Sequence, residues 1–328
     1  MRRTARKCAA IDRTLSPDLI ARFRVELERL QAESGRLGVA VSGGPDSLAL
    51  LLLAQAAMPG KVSAATVDHG LRPESAQEAA FVASLCQELD VPHEVLTVDV
   101  PPGNLQANAR AARYRALGAW LDIEGLGAIA TAHHADDQAE TLVMRLNRGS
   151  GLSGLAGIRA DTVIAGHGGR LIRPLLGWRK VELEDLVHAC GIEPVLDPSN
   201  ANEEFDRVRI RKALAKADWL DISAIAQSAS HLQELDTELA VLAQREWKTC
   251  VTFVGDQVTY QPSADGLRMT RQRILTRAIA ELGGELPRGS QVAALLDALE
   301  RGEGGNLAGV LAKSGKEGWV LRREPPRH

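Results

Sequence analysis

The chain has 328 residues, enough for two domains with their own cores, and its 45% hydrophobic and 25% charged residues are ordinary for a globular protein. Aromatic residues make up 3%, which excludes base stacking on aromatic rings as the main mode of any nucleic-acid contact. The net charge of −3 argues against a non-specific polyanion binder, although it does not exclude a local basic face.

The four cysteines lie far apart and form no C-x-x-C pair; they are Cys8, Cys86, Cys190 and Cys250. This spacing predicts free thiols in a reducing compartment and argues against a disulfide framework or a zinc site. The pattern after Arg2 and Arg3 is not that of a signal peptide, and the apolar runs are too short or too interrupted to span a membrane. We therefore expect a cytoplasmic protein.

Strand-like and helix-like segments alternate between residues 36 and 150. Short apolar runs predict strands at 37–41, 61–67, 93–100 and 127–132, with helical segments between and after them. Alternation of this kind predicts an α/β fold with a doubly wound, Rossmann-like parallel sheet covered by helices on both faces. In such sheets ligands bind beyond the carboxyl ends of the strands, near the point where the strand order reverses.

The pattern changes near residues 218–221. One long helix is predicted at 222–247, followed by a hairpin that turns at Gly255-Asp256, two further helices, and a second hairpin that ends near residue 322. We therefore predict two domains. Residues 1–220 carry the parallel sheet, and residues 221–328 form a smaller, mostly helical α+β domain.

The first strand runs into a short turn and then into an apolar helix. The turn reads Ser42-Gly43-Gly44-Pro45-Asp46-Ser47. The glycines let the backbone approach an anion, and the loop amides and serine hydroxyls lie at the positive end of the following helix, which suits phosphate. No lysine follows the glycines, so this is not the G-x-x-x-x-G-K-[ST] loop. It resembles the SGGxDS pyrophosphate loop of enzymes that cleave ATP between the α and β phosphates; a plain strand-to-helix turn is the alternative.

Two more polar clusters follow predicted strands. Asp68-His69 ends the second strand, and His133-His134 ends the fourth and leads into a helix. On that helix Asp137 and Glu140 lie three positions apart, so both carboxylates project from one face. We expect Asp136, the neighbouring carboxylate, to cap the start of the helix. A metal site made by the two histidines with Asp136 or Asp137 is the rival interpretation.

Two basic segments are candidates for anion binding. Arg110 and Arg113 lie three apart on one helical face, where a guanidinium can bind phosphate or carboxylate through paired hydrogen bonds; a solvated basic stripe is the alternative. A second basic helix follows the turn at Asp197-Pro-Ser-Asn200, and composition alone favours a surface helix there. Its cations are Arg207, Arg209, Arg211, Lys212 and Lys216.

Taken together, these segments resemble the tRNA(Ile)-lysidine synthetase family over about residues 36–215. The most specific match is the block His-His-x-Asp-Asp-Gln-x-Glu-Thr, which begins at His133, whereas the SGGxDS loop alone indicates only the wider PP-loop ATPase superfamily. The resemblance implies an ATP-dependent ligase with a PP-loop domain. Its tRNA substrate would be an isoleucine tRNA with a CAU anticodon. ATP would adenylate the wobble cytidine, pyrophosphate would leave, and the ε-amine of free L-lysine would displace AMP.

The resemblance also implies roles for particular residues. The loop from Ser42 to Ser47 would hold pyrophosphate, and Asp46 would help to bind Mg²⁺. Arg113 would stabilise a phosphate or the lysine carboxylate. Asp137 and Glu140 would bind an ammonium group or accept a proton, and His133 is a further candidate for the proton acceptor. Residues 221–328 would contact the tRNA; the oligomeric state is left open, with a homodimer as one option.

The sequence departs from the family pattern after Phe205, where Val208 stands at the expected asparagine while Arg207 and Arg211 remain. This puts an asparagine-mediated contact in doubt, but not the basic helix. Two other functions are alternatives. A PP-loop tRNA thiolase needs a reactive cysteine, and none of the four lies in a strand-end cluster. A nucleotide-binding module without catalysis would lack the carboxylates Asp46, Asp137 and Glu140.

Overall fold

The computed structural model describes residues 15–70, 75–195, 206–283 and 285–324. In the first half of the chain the elements are α1 (Pro17–Arg29), β1 (Leu37–Ala40), α2 (Pro45–Ala57), β2 (Val62–Asp68), α3 (Ser75–Glu88), β3 (His93–Thr97), α4 (Leu105–Glu124), β4 (Ala128–Ala130), α5 (Ala135–Asn147) and α6 (Leu152–Leu155). They are followed by β5 (Asp161–Val163), β6 (Arg170–Ile172), α7 (Lys180–Ala189), α8 (Asp206–Lys216), α9 (Ile222–Cys250), β7 (Val251–Val254), β8 (Gln257–Tyr260), α10 (Arg268–Glu281), α11 (Gly289–Glu300), β9 (Gly304–Leu307), β10 (Val310–Gly315) and β11 (Gly318–Arg323).

A six-stranded sheet with the order β3-β2-β1-β4-β6-β5 is the centre of the first of two compact units, which comprises residues 1–144 and 157–229. β1 pairs in parallel with both β2 and β4, and only the edge strand β5 runs antiparallel to its neighbour β6. The chain winds outward in one direction through β2 and β3 and in the other through β4 and β6. The predicted doubly wound parallel sheet is confirmed, and its switch point lies between β1 and β4.

Helices cover both faces of this sheet. On one face the apolar helix α2, with six buried residues from Leu48 to Leu53, packs in the largest core with Phe23 of α1 and Val187 of α7. On the other face Trp120 of α4 packs in a separate core against strand residues such as Ile129. Because α2 is buried on all sides, it lacks the polar stripe of a surface helix, and its start is fixed relative to the sheet.

The second unit, residues 145–156 and 230–328, contains an antiparallel sheet of order β7-β8-β11-β10-β9. The sheet packs with α10 and α11 around a core that includes Tyr260 and Leu296. The predicted hairpin at Gly255-Asp256 is present as β7 and β8. The second predicted hairpin is part of a three-stranded meander, since β9 also pairs with β10. The domain boundary at residue 220 stays a prediction.

Some elements were not expected from the sequence. Helix α1 is capped by Ser16, whose hydroxyl accepts a hydrogen bond from the Asp18 amide at 3.3 Å, and proline follows the cap. The short strands β5 and β9 were also missed, because three or four residues give too little alternation to be recognised. Within the described ranges, no helix combines the length and apolar character that crossing a membrane requires.

Candidate active site

The turn between β1 and α2 is closed by its two serines. The Ser47 hydroxyl donates to the Gly44 carbonyl at 3.0 Å and accepts from the Ser42 amide at 3.1 Å. Gly43 has a φ of +84°, which favours glycine, and its carbonyl accepts from the Val195 amide at 2.9 Å. No side chain of the described residues caps the start of α2 at Gly44. The first amides of the helix are therefore available to an anion, and phosphate binding at this turn stays a prediction.

Asp46 lies in the first turn of α2. Its Oδ1 atom is buried without a hydrogen-bond partner in the described part of the chain, and its Oδ2 atom lies 3.6 Å from Nε2 of His134. A carboxylate oxygen left unpaired beside a phosphate-binding turn fits Mg²⁺, which binds carboxylate and phosphate oxygens together. The residues therefore fit the predicted role of Asp46.

His134 connects the loop with the start of α5. Its side chain is 6% exposed, and its ring nitrogens lie 3.6 Å from carboxylate oxygens of Asp46, Asp136 and Asp137. Burial alone would lower the pKa of His134, but the adjacent carboxylates of Asp136, Asp46 and Asp137 raise it to about 10. The Asp137 amide also approaches Nδ1, at 3.4 Å, a bond that only the neutral ring can accept. We favour the cationic ring, because three carboxylates outweigh one long hydrogen bond.

Asp136 does not cap its own helix, so that expectation is wrong. Its Oδ2 accepts a 2.7 Å hydrogen bond from the Lys180 amide at the start of α7, and the Arg179 guanidinium donates to both carboxylate oxygens at 3.2 and 3.3 Å. Although burial raises the pKa of Asp136, its bonds to His134 and Arg179 hold that pKa well below the usual range. Asp136 thus joins α5 to α7. At the start of α5 it is Asp137 whose carboxylate accepts a hydrogen bond from the His134 amide, at 3.1 Å.

His133 lies next to His134 after β4, but its ring makes a different contact. Its Nδ1 atom lies 3.0 Å from the Thr131 hydroxyl. Burial lowers the pKa of His133, the Asp137 charge opposes this, and the nearby charges of Arg173, Arg207 and Arg110 lower it further. The ring is therefore neutral at pH 7.

The carboxylates of Asp137 and Glu140 are paired with arginines from α8. Arg207 donates to Asp137 and to Glu140, each at 2.6 Å, and Arg211 donates to Glu140 at 2.6 Å. Glu140 is buried, with a side-chain exposure of 3%. We call these four residues the carboxylate cluster. The basic helix that composition assigned to the surface is thus part of the site.

Burial acts to raise the pKa of Asp137, but the charges of His134 and Arg207 lower it below the usual range. Asp137 is therefore ionised, and arginines of α8 are paired with both carboxylates of the cluster. An incoming ammonium group has to compete with a guanidinium there. The sequence contained one signal for this pairing, the retained Arg207 and Arg211, but no indication of their partners.

Arg113 and its neighbour Arg110 lie on α4 with exposed side chains, 5.8 and 5.0 Å from the centre of the Tyr114 ring. At the end of β2, Asp68 accepts from the Gly70 amide at 2.8 Å and the Ser75 hydroxyl at 2.7 Å, so it shapes the backbone. Burial and then the charge of Arg113 lower the pKa of His69. The predicted clusters after β1, β2 and β4 therefore lie at the same sheet edge, and Arg113 joins them.

Some expectations fall outside the described residues, namely those on Leu71, Arg72, the turn at 197–200 and Phe205. Within the described ranges, no group of three His, Cys, Asp or Glu side chains is arranged to hold a metal ion. The rival metal site at the paired histidines therefore has no ligand set there, whereas a Mg²⁺ ion held by one carboxylate and phosphates needs none.

Comparison with known proteins agrees with this geometry. The family described as "PP-loop domain" matches residues 19–218. A tRNA(Ile)-lysidine synthase of Novosphingobium aromaticivorans is 48% identical over 307 residues, which cover 93% of this chain and 94% of that protein. The chain belongs to the tRNA(Ile)-lysidine synthase family. A second member, from Zymomonas mobilis, is 41% identical over 90% of each chain.

Among solved structures, the U34-tRNA thiolase NcsA from Methanococcus maripaludis, determined with its [4Fe-4S] cluster, is similar with a TM-score of 0.52. The match covers 70% of this chain and 78% of that one at 16% identity. This degree of likeness concerns the fold alone. It agrees with the doubly wound α/β fold, and the family match over residues 19–218 confirms that this fold is a PP-loop domain.

Proposed function

We propose that this chain joins free L-lysine to position 2 of the wobble cytidine of the CAU-anticodon isoleucine tRNA, with ATP as the activating substrate. Family membership supports lysidine formation on tRNA(Ile). One geometric observation carries the assignment to this site. Asp46 of the phosphate-binding turn and Asp137 of α5 both lie 3.6 Å from His134, so the ATP side and the amine side of the reaction adjoin.

In the first step the 2-carbonyl oxygen of cytidine attacks the α-phosphate of ATP, and pyrophosphate leaves. The amides at the start of α2 and the loop around Gly43 would hold the leaving group, which develops negative charge. Asp46 would hold a Mg²⁺ ion, whose chemistry here is to offset that charge. His134 keeps Asp46 in position through its cationic ring.

In the second step the lysine ε-amine attacks position 2, and AMP leaves. The amine has an ordinary pKa near 10.4, so it must lose a proton before it attacks. The candidates for the proton acceptor are Asp137, Glu140 and the neutral ring of His133, although the burial and the arginine charges that lower the pKa of His133 also weaken it as a base. Asp137 and Glu140 orient the ammonium before transfer, in competition with Arg207 and Arg211. Arg113 stays a candidate for phosphate or carboxylate binding.

The direct experiment is incorporation of radiolabelled lysine into the CAU-anticodon isoleucine tRNA, with ATP and Mg²⁺, followed by mild alkali. Label that survives alkali is attached to the base and supports the proposal, because an aminoacyl ester would be hydrolysed. Absence of label, with pyrophosphate release also absent, contradicts it. Sulfur transfer in place of lysine transfer would favour the thiolase alternative. Size-exclusion chromatography with light scattering tests the homodimer option.

A further inference from the structure

The carboxylate oxygens of Asp137 and Glu140 are all engaged by groups of the protein. The two oxygens of Glu140 each accept a hydrogen bond at 2.6 Å, one from Arg207 and one from Arg211. Of the Asp137 oxygens, Oδ1 accepts from Arg207 at 2.6 Å and Oδ2 accepts from the His134 amide at 3.1 Å. Each of the four oxygens therefore has a donor before an ammonium group approaches.

Among the described residues, Arg207 is the donor that the two carboxylates share. Its Nη2 atom contacts Asp137, and its Nε atom contacts Glu140. A planar guanidinium that directs two donors at two carboxylates holds them in a fixed geometry, which a single ammonium group cannot reproduce. Departure of Arg207 would free one oxygen on each carboxylate, whereas departure of Arg211 would leave Asp137 unchanged.

The exposure of these side chains indicates which group can leave. The side chains of Glu140 and Asp137 are 3% and 14% exposed, whereas that of Arg207 is 40% exposed. The carboxylates are thus enclosed by the protein, and the arginine is accessible to solvent. Because a buried carboxylate without a cation is costly, Arg207 can leave only when another cation takes its place.

A displaced guanidinium also needs a new partner. Among the described residues, Arg207 forms ion pairs with Asp137 and Glu140 alone. The phosphate-binding turn is close to this pair, since Asp46 and Asp137 both lie 3.6 Å from Nε2 of His134. ATP at the turn would bring several negative charges next to the carboxylate cluster, and phosphate oxygens accept from arginine as carboxylates do. ATP would therefore favour the departure of Arg207 that an incoming ammonium requires.

We propose that Arg207 occupies the place of the lysine ε-ammonium until ATP binds, so that lysine enters the site second. This inference rests on the proposed function, because it takes Asp137 and Glu140 as the ligands of the ammonium group. Arg207 is in this sense an internal competitor of the substrate. The order it imposes admits the amine only when an activated cytidine can be formed.

The test measures binding of radiolabelled lysine to the full chain by equilibrium dialysis, with and without α,β-methylene-ATP and Mg²⁺. The methylene group prevents cleavage between the α and β phosphates, so no reaction follows binding. We expect wild-type protein to bind lysine about 10-fold or more tightly with the analogue, because apparent affinity falls with the fraction of molecules whose site is open.

R207Q should remove this dependence on the analogue. Glutamine keeps a polar side chain but carries no charge, so it competes poorly with an ammonium group for two carboxylates. Without the analogue, R207Q should bind lysine about 10-fold or more tightly than wild type does. Where R207Q fails to fold, R207K takes its place. Its single ammonium cannot bridge both carboxylates, and it should show a smaller dependence than wild type.

Two further variants serve as controls. R209Q changes an arginine of the same helix whose side chain is 72% exposed and whose ion pair, with Asp206, is long at 3.9 Å. R211Q removes a partner of Glu140 alone and leaves the bridge made by Arg207 in place. R209Q should keep the full wild-type dependence, and R211Q should keep most of it.

The results separate this inference from the proposed function. Analogue-dependent lysine binding that is lost in R207Q supports the inference. Equal affinity of the wild-type protein in both conditions overturns it, even where lysidine is formed. A dependence that persists unchanged in R207Q overturns it too, since the order then has another cause. No lysine binding in either condition, while label enters the tRNA, also overturns it, because ATP then does not open the site. Absence of both binding and label contradicts the proposed function itself.

Discussion

The two charged sides of the candidate site differ in how fully the protein neutralises them. In the carboxylate cluster, Glu140 is 3% exposed and bound by two arginines at 2.6 Å. Among the basic residues of this unit, Arg173 is almost as buried, but its Nε atom has no partner in the described residues, and the nearby Asp161 is paired with Arg170. The carboxylates of Asp137 and Glu140 thus have partners within the protein, whereas the Nε atom of Arg173 has none in the described residues. A cationic ligand must therefore displace an arginine from the carboxylate cluster.

Asp46 is the exception on the acidic side, because its buried Oδ1 atom has no partner in the described part of the chain. A buried carboxylate oxygen without a partner is a candidate ligand for a cation. We expect D46N to reduce lysine incorporation by on the order of 10²- to 10³-fold, since it removes charge where the leaving group must be neutralised. D99N, at an exposed aspartate, is the control. Activity of D46N within threefold of wild type would contradict a metal role for Asp46.

The next largest effect should come from removing a carboxylate from the carboxylate cluster. E140A leaves Arg207 and Arg211 without their buried partner. Because these arginines are 40% and 37% exposed, the cost should be lower than for a fully buried pair, about 2 kcal/mol of unfolding free energy. Urea denaturation measures it, with E94A at an exposed glutamate as control. Unfolding at the wild-type urea concentration would mean that the cluster is not a structural contact.

The strand-end clusters could be predicted because each depends on a short apolar run and the residues that follow it. The pairing of Arg207 with Glu140 could not, since it joins residues 67 positions apart and neither helix pattern specifies its partner. Asp136 was misassigned for the same reason, as its contacts lie 43 and 44 positions away on α7. The position of Arg173 could have been recognised from the sequence, because this residue directly follows strand β6. His133 likewise comes shortly after strand β4.

The contact between Asp136 and α7 gives a pH-dependent prediction. The folded-state pKa of Asp136 is lowered from 3.8, so its contribution to stability is complete above that value and is lost as the pH falls toward the folded-state pKa. D136N should lower the unfolding free energy by about 1–2 kcal/mol at pH 7. The difference from wild type should shrink below about pH 4. A difference that stays constant from pH 7 to pH 3 would show that charge at Asp136 contributes nothing.

The smallest expected effect is that of removing Arg110, and it tests the contrast between paired and unpaired charges most directly. Since Arg110 has no carboxylate partner in the described residues and lies beside two other cations, R110A should change the unfolding free energy by no more than about 0.5 kcal/mol, in the stabilising direction. R115A should be neutral within the same range. Thermal denaturation without substrates measures both. Destabilisation of R110A by more than about 1.5 kcal/mol would reveal a structural partner for Arg110 and contradict this expectation.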